Sequence, residues 1–401
     1  MVAKQLCSGL IQRGFEVVSL GMYDTEGKHD SIRIWPVRGD DLQGYEQVGK
    51  FLEVEGPDVL VINYDPGTVH RWVILLREIG SDIPVVAYFP IEGQPVAAGF
   101  LEMIRMVTVP ITYTESGSKA IWSSGEISVP WTHHGADHAP FERLSEAQRE
   151  RLKADIGWEG KFVVGYVATN KRTKQQPRLM RAVQYLREGG RRDVRLYLHT
   201  MPFQNYMMDG WNLLEVSAEM GLRSVVRFPP DITHYMRGIG YEERGRIDET
   251  LLHDSSPEAP IRMLQAILAS YNMIELYNMM DVFVSVSQVE GFGLPLVEAM
   301  ACGVPIVAPR DGMAQEEVVG DAGILIESID WDVWKTGARL CNISPEKVAG
   351  EIECLMGSRE LREEYSRLGL ARAAGFTWSS TVSAIERSIR EALVKSPRAY
   401  W

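Results

Sequence analysis

VEGFGLPLVEAMACGVPIVA, residues 289–308, decides how the chain reads. It follows DVFVSVS (Asp281 to Ser287), a short run rich in β-branched and aromatic residues, the composition of a buried strand. Gly291 and Gly293 then allow the backbone to approach a ligand closely. Pro295 suits the first turn of a helix, where an amide hydrogen has no partner to lose. A helix that starts over Leu294–Leu296 aims its free amides back at the loop, an arrangement suited to phosphate. Strand, glycine-rich turn and helix make one unit of an open α/β sheet, in which ligands bind at the carboxyl ends of strands. Two glutamates bracket the turn. Glu298, about one turn into the helix, can accept hydrogen bonds from two neighbouring hydroxyls, as on a ribose, and Glu290 stands before the loop. Taken singly, Glu298 could serve the helix dipole and Glu290 could be a solvated loop residue. The whole constellation favours a functional reading.

The same alternation runs through the chain. FEVVSLG (Phe15 to Gly21), DVLVINY (Asp58 to Tyr64), PVVAYFP (Pro84 to Pro90) and VTVPITYT (Val107 to Thr114) read as strands, separated by helical stretches over 45–56 and 70–80. The pattern restarts with FVVGYVA (Phe162 to Ala168), VRLYLHT (Val194 to Thr200), VVRFPP (Val225 to Pro230), DVFVSVS and VPIVAP (Val304 to Pro309), with helices near 176–188 and 295–302. The expected fold class is therefore α/β, two doubly wound Rossmann-like domains in series. The domains are expected at 1–155 and 156–378, joined near the charged stretch 144–160, with a C-terminal amphipathic helix within 379–401. Residues 233–260, polar, glycine-rich and poorly periodic, read as an insertion.

Bulk properties exclude some classes of function. With 401 residues, two domains are the default. A net charge of −12 argues against a generic nucleic-acid binder, because phosphate backbones select basic surfaces. Cys7, Cys302, Cys341 and Cys354 form no CxxC pair and have no histidine partners at zinc spacing, so they read as plain thiols in a reducing compartment. No apolar run is long enough to span a bilayer, and the N-terminus lacks the pattern of a secretion signal. A cytoplasmic protein is expected, with peripheral membrane contact left open.

The stretch EGFGLPLVE is an E-x7-E motif that resembles that of retaining GT-B glycosyltransferases of family 4, the glycosyl transferases group 1. AMACGVPIVA and DGMAQEEVVGDAGILI (Asp311 to Ile326) resemble that family's continuation. THHGADHAPF (Thr132 to Phe141), FVVGYVATNKRTKQ (Phe162 to Gln175) and GFTW (Gly375 to Trp378) are similar to its segments at the end of the first domain, at the start of the second, and before the C-terminal helix. The resemblance implies two domains facing across a cleft, with the last helix crossing back to the first domain. It implies a nucleotide-diphosphate sugar donor held mainly by the second domain. Glu298 is then expected on the ribose hydroxyls and Glu290 on the donor sugar, with Gly291, Phe292, Gly293 and Leu294 lining sugar and phosphate. In NKRTK the leaving diphosphate falls to Arg172 and Lys174, with Lys171 in reserve. The family usually has an arginine five or six positions before its lysine, where this chain has Thr169 and Ala168. The family also opens with a strand and glycine-rich loop, whereas this chain reads as starting within the following helix.

Fixed cations and helix amides can stabilise a departing diphosphate without a metal, so no metal or other cofactor is expected. The one D-x-D, Asp330-Trp331-Asp332, reads as coincidence. The two glutamates do not read as a hydrolase pair, since both belong to one donor loop and helix. On the acceptor side Asp65 and Glu92 are candidates to orient a hydroxyl, with loop capping an equal alternative. His70 and His134 read as structural, and His199 is a candidate by position alone. The acceptor is expected to be a glycan, a lipid-linked glycan or another hydroxyl compound. A nucleotide-sugar-binding protein or partner subunit without turnover is the alternative, and a GT-B sugar-nucleotide epimerase a third reading.

Overall fold

The computed structural model describes residues 1–21, 28–29, 32–37, 44–137, 139–203, 209–229 and 272–395. The expected insertion at 233–260 lies outside the described residues. The chain divides into two compact units, one of residues 1–139, 333–339 and 376–401, the other of 140–332 and 340–375. Among the described residues no helix is long and apolar enough to cross a membrane.

The first unit opens with α1 (Val2–Gln12), followed by β1 (Val18–Gly21), β2 (Lys28–His29) and β3 (Ile32–Pro36), which pair in the order β1-β3-β2. After α2 (Val48–Glu55) come β4 (Leu60–Asn63), α3 (Pro66–Glu78), β5 (Val85–Phe89), α4 (Ala98–Met106), β6 (Val109–Thr112) and α5 (Glu115–Gly125). Strands β4, β5 and β6 form a parallel sheet in register Val61–Val86 and Ala87–Pro110. Every residue of β5 is buried, which is why that strand reads as an unbroken apolar run rather than an alternating one.

The last helix of the chain also belongs to this unit. Val86, Tyr88, Val109 and Ile111 of the sheet share one core with Leu6 and Leu10 of α1 and with Trp378, Val382, Ile385 and Ile389 near the C-terminus. The HGAD and GFTW motifs meet at its base. Ala136 N donates to Phe376 O at 3.0 Å, Trp378 N to Asp137 Oδ1 at 2.7 Å, and Thr381 Oγ1 to His133 O at 2.7 Å. Gly135 permits this approach, since a Cβ there would lie 2.1 Å from the Trp378 backbone nitrogen.

The second unit begins with α6 (Glu146–Asp155), closed by a Ser145–Gln148 capping box, so the charged stretch near the junction is helical. It continues with β7 (Phe162–Val167), a 3₁₀ turn at Arg172–Lys174, α7 (Gln176–Glu188), β8 (Val194–His199), α8 (Leu213–Glu219) and β9 (Val226–Arg227). Then come α9 (Met273–Asn278), β10 (Val282–Val284), α10 (Leu294–Ala301), β11 (Ile306–Pro309), α11 (Ala314–Val319) and β12 (Gly323–Ile326). The strands pair in parallel in the order β12-β11-β10-β7-β8-β9. The chain therefore winds outward from β7 through β8 to β9, then returns to the middle at β10 and winds the other way. A hairpin of β13 (Asp330–Val333) and β14 (Arg339–Asn342) and the helices α12 (Pro345–Gly357), α13 (Arg359–Ala373) and α14 (Trp378–Lys395) complete the chain.

Candidate functional site

In an open parallel sheet the crevice for a ligand lies where the winding reverses, outside the carboxyl ends of the two central strands. Here those strands are β7 and β10. The loop after β7 carries NKRTK, and the loop after β10 carries the EGFG turn. The two are joined. Gln288 N donates to Thr173 O at 2.9 Å, and Lys174 Nζ lies 2.6 Å from Glu290 Oε1, each side chain less than a fifth exposed. Tyr166, buried in β7, donates its hydroxyl to Lys174 O at 3.1 Å and so fixes the lysine backbone from below. Burial, then the Glu290 charge, keeps that phenol in its neutral donor form.

The glycine-rich turn is shaped as its sequence requires. Gly293 takes φ +89°, the left-handed region, and a Cβ there would meet Leu296 Cδ1 at 2.8 Å. It is the N-cap of α10, with Pro295 in the first turn. Gly291 and Phe292 are buried beside it, and Leu294 is half-buried. The turn is braced by the loop after β11, since Glu290 N donates to Gly312 O at 3.2 Å and Ala314 N to Glu290 O at 3.3 Å.

Glu298 is buried on α10 and accepts from the Tyr277 hydroxyl at 2.6 Å. Cys302, one turn on, has its thiol pushed up to about 12 by burial first and then by the Glu298 charge. That thiol stays protonated at neutral pH and is no nucleophile.

The remaining basic residues stand apart from Glu290. Arg172 is largely exposed, 3.9 Å from Asp209 Oδ2, and Lys171 is half-buried at the start of the 3₁₀ turn. Asn170 anchors this loop. Its Nδ2 donates to Met201 O, Phe203 O and Trp211 O, at 2.9, 3.0 and 2.7 Å, and its Oδ1 accepts from Trp211 N at 2.8 Å. His199, at the end of β8, is buried against the Tyr197 ring, and burial lowers it to about 4. Asp332 of the D-x-D accepts from Gln288 Nε2 at 2.6 Å, a bracing contact behind the loop.

In the first unit, Asp65 caps α3 by accepting from Thr68 N and Thr68 Oγ1, at 3.0 and 2.8 Å, and Glu92 is exposed after β5. Tyr113 accepts from Asn63 Nδ2 at 2.9 Å. Burial raises that phenol, the Asn63 bond lowers it, and the Glu92 and Asp65 charges raise it further. Asp65 follows β4 and Glu92 follows β5, both at the carboxyl ends of their strands. His134 is buried against Tyr88, Tyr113 and Trp378, with its Nδ1 at 2.9 Å from the Tyr88 hydroxyl; burial, then His133, lowers it to about 3. His70 lies half-buried on α3.

Reading residues alone missed Tyr277, Asn170 and Gln288. Each carries a polar group within or beside an apolar run, in ELYNMMDV, GYVATN and FVSVSQ, and that was the available signal. Their partners lie far away in sequence.

The class defined by fold and turn is the GT-B class. The structure superposes on sucrose-phosphate synthase from Thermosynechococcus elongatus with a TM-score of 0.68 at 18% identity, covering 98% of this chain and 93% of that one. Anabaena HepE in complex with UDP and glucose gives a TM-score of 0.61 at 17% identity, covering 90% and 86%. Residues 255–366, which contain both glutamates, match the family model of glycosyl transferases group 1. Among curated proteins, a D-inositol 3-phosphate glycosyltransferase of Thermobifida fusca is 29% identical over 182 residues, 45% of this chain and 37% of that protein. The chain spans less than half the length of the curated relatives it matches.

Proposed function

We propose that the protein transfers a sugar from a nucleotide-diphosphate donor to a hydroxyl acceptor, with retention at the anomeric carbon and without a metal, as a family 4 enzyme. The observation that carries this reading is the meeting of Lys174 and Glu290 at 2.6 Å where the sheet reverses. That contact sets a cation and a carboxylate beside the turn that opens α10. On this reading the α10 amides and Lys174 receive the diphosphate, Arg172 and Lys171 extend the positive surface, Glu290 contacts sugar hydroxyls and Glu298 the ribose. The bond from the anomeric carbon to the phosphate oxygen breaks as the acceptor oxygen attacks from the same face. The acceptor proton passes to the departing diphosphate oxygen, and no protein nucleophile takes part. Developing charge on that oxygen is what preorganised amides and Lys174 stabilise. Asp65 and Glu92 are the acceptor-side candidates, and UDP, which HepE holds, is the first nucleotide to try.

The test is thermal unfolding of wild type and Glu298→Ala with a panel of nucleoside diphosphates and their sugars, followed by a transfer assay with whichever donor binds. A ligand at a hundred times its Kd stabilises the native state by about 2.7 kcal/mol. The expected result is stabilisation by one nucleotide, lost in Glu298→Ala, and product with a retained anomeric centre. Stabilisation by no nucleotide would sink the reading, and binding without transfer would make the protein a nucleotide-sugar binder.

A further inference from the structure

We propose that Tyr277 is a positioning residue for the donor, holding the Glu298 carboxylate in the one orientation that reads a ribose diol. The inference rests on the donor-site reading of Glu298 and adds a residue outside the glycine-rich loop.

The geometry is that of a built support. The Tyr277 hydroxyl donates to Glu298 Oε2 at 2.6 Å, within the range of a charge-assisted bond to a carboxylate. The phenol is fully buried, packed at 6.0 Å from the Phe141 ring and 6.1 Å from the Phe283 ring. Burial first, then the Glu298 charge, raises its ionisation well above the ordinary phenol range, so it is an O–H donor at every working pH. A glutamate on a helix has several torsions to settle, and a bound diol needs them all fixed. One strong bond to Oε2 restrains the carboxylate end of those torsions.

The helix that carries Tyr277 is held at both ends. Helix α9 is capped by Asn272, whose Oδ1 accepts from Ile274 N at 3.1 Å. Its last residue, Asn278, donates from Nδ2 to Glu142 O at 2.8 Å and accepts at Oδ1 from Leu144 N at 2.9 Å. Arg149, buried on α6, donates to Asn278 O and Met280 O, both at 2.9 Å. These bonds anchor the short helix that carries the Tyr277 ring. The bond from Tyr277 to Glu298 also satisfies two buried polar groups in the absence of a ligand, so a core role and a positioning role are separated by ribose discrimination.

The test is isothermal titration of wild type, Glu298→Gln, Tyr277→Phe and Tyr277→4-aminophenylalanine with UDP, GDP and ADP and with their 2′,3′-dideoxy counterparts. Wild type is expected to prefer one ribonucleotide over its dideoxy form by at least about tenfold, the scale of a hydrogen bond to a charged group. Both Glu298→Gln and Tyr277→Phe are expected to shrink that ratio toward one, with dideoxy affinity within about twofold of wild type. The 4-amino group returns a donor to the same ring and is expected to restore most of the ratio. A Tyr277→Phe protein with an unchanged ratio, or one that loses ribo and dideoxy affinity together, would overturn the inference. So would a folded 4-aminophenylalanine variant without discrimination, which keeps the test decisive if Tyr277→Phe does not fold. Wild type binding none of the nucleotides, or Glu298→Gln keeping the full ratio, would bring down the donor-site reading and the inference with it. Loss of the ratio in Glu298→Gln but not in Tyr277→Phe would overturn the inference alone.

Discussion

Lys174 Nζ and Glu290 Oε1 lie 2.6 Å apart, one on the loop after β7 and the other on the loop after β10, with 116 positions of sequence between them. Neither loop alone places a charge against its opposite. The reversal of winding at β7 and β10 does so, because it makes these two carboxyl ends neighbours. On the proposed reading, a diphosphate taking the ammonium and a sugar taking the carboxylate would replace one interaction with two.

Removing one partner leaves a half-buried charge without its opposite, a loss that exceeds what the pair contributes. Lys174→Ala and Glu290→Ala are each expected to destabilise the second unit by about 1–3 kcal/mol, with the double variant well short of the sum. Urea unfolding of the four proteins measures the coupling, and strict additivity would show that the contact carries no energy. In the transfer assay Lys174→Ala is expected to fall at least a hundredfold, as when one preorganised donor to a developing charge is lost.

Asn170 fixes the loop that carries the basic residues, its two amide hydrogens shared among three carbonyls and its Oδ1 accepting one bond. An aspartate at this position cannot donate to any carbonyl and sets a charge against three of them. Asn170→Asp is therefore expected to be worse than Asn170→Ala, which should itself cost about 2–4 kcal/mol for the carbonyls left unmet. Equilibrium unfolding ranks the two, and an aspartate variant more stable than the alanine variant would refute the account. Nucleotide affinity is expected to weaken in both.

Much of this was legible in the residues, and the remainder has a physical reason for being hidden. The strands were plain because a parallel sheet covered on both faces needs continuous apolar runs such as VVAYF. Helix α7 matches its reading residue for residue, since Pro177 marks its first turn and Gly189 its end. The EGFGLP turn marked Gly291 and Gly293 as places where the backbone can approach closely, and Gly293 takes a left-handed backbone there. What could not be read is which loop faces which. Strand order is set by the whole sheet, so the pairing of Lys174 with Glu290 follows from no local spacing. The same holds for Tyr277 against Glu298 and for Gly135 beneath Trp378, 243 positions later. Nor did composition divide the cations of NKRTK. The resemblance put Arg172 and Lys174 first with Lys171 in reserve, and the backbone turn puts Lys174 inward against Glu290 and Arg172 largely in solvent.

Two glycines of the motifs are expected to fail for different reasons. Gly135→Ala drives a Cβ into the backbone nitrogen of Trp378, an atom that no rotamer change can move. Its expected penalty is about 3 kcal/mol or more, with the C-terminal helix released from the first unit. Gly293→Ala meets the movable end of Leu296 but must hold φ near +89°. About 1–2 kcal/mol is expected there, together with a displaced start of α10 and weaker nucleotide binding. Limited proteolysis near 376–395 separates the two, since only Gly135→Ala should expose that segment.

Acid sensitivity should come in part from two histidines. His134 and His199 are neutral in the folded protein down to about pH 3 and about pH 4, because burial disfavours their charged forms. In the unfolded chain both take up a proton near the ordinary histidine value of about 6.5. Unfolded protein thus binds more protons than native protein below that value, and stability rises with pH in this range. The contribution is fully present above about pH 6.5 and is lost as pH falls toward the folded values. Each histidine adds a slope of about 1.4 kcal/mol per pH unit between about pH 6 and pH 4, beside whatever the carboxylates contribute. Urea unfolding at pH 7, 6, 5 and 4 for wild type, His134→Asn and His199→Leu checks the sign and the size. Each variant is expected to show a shallower fall with acid than wild type, whatever its stability at pH 7. A variant whose slope equals that of wild type would mean that the histidine it lacks is charged in the native state.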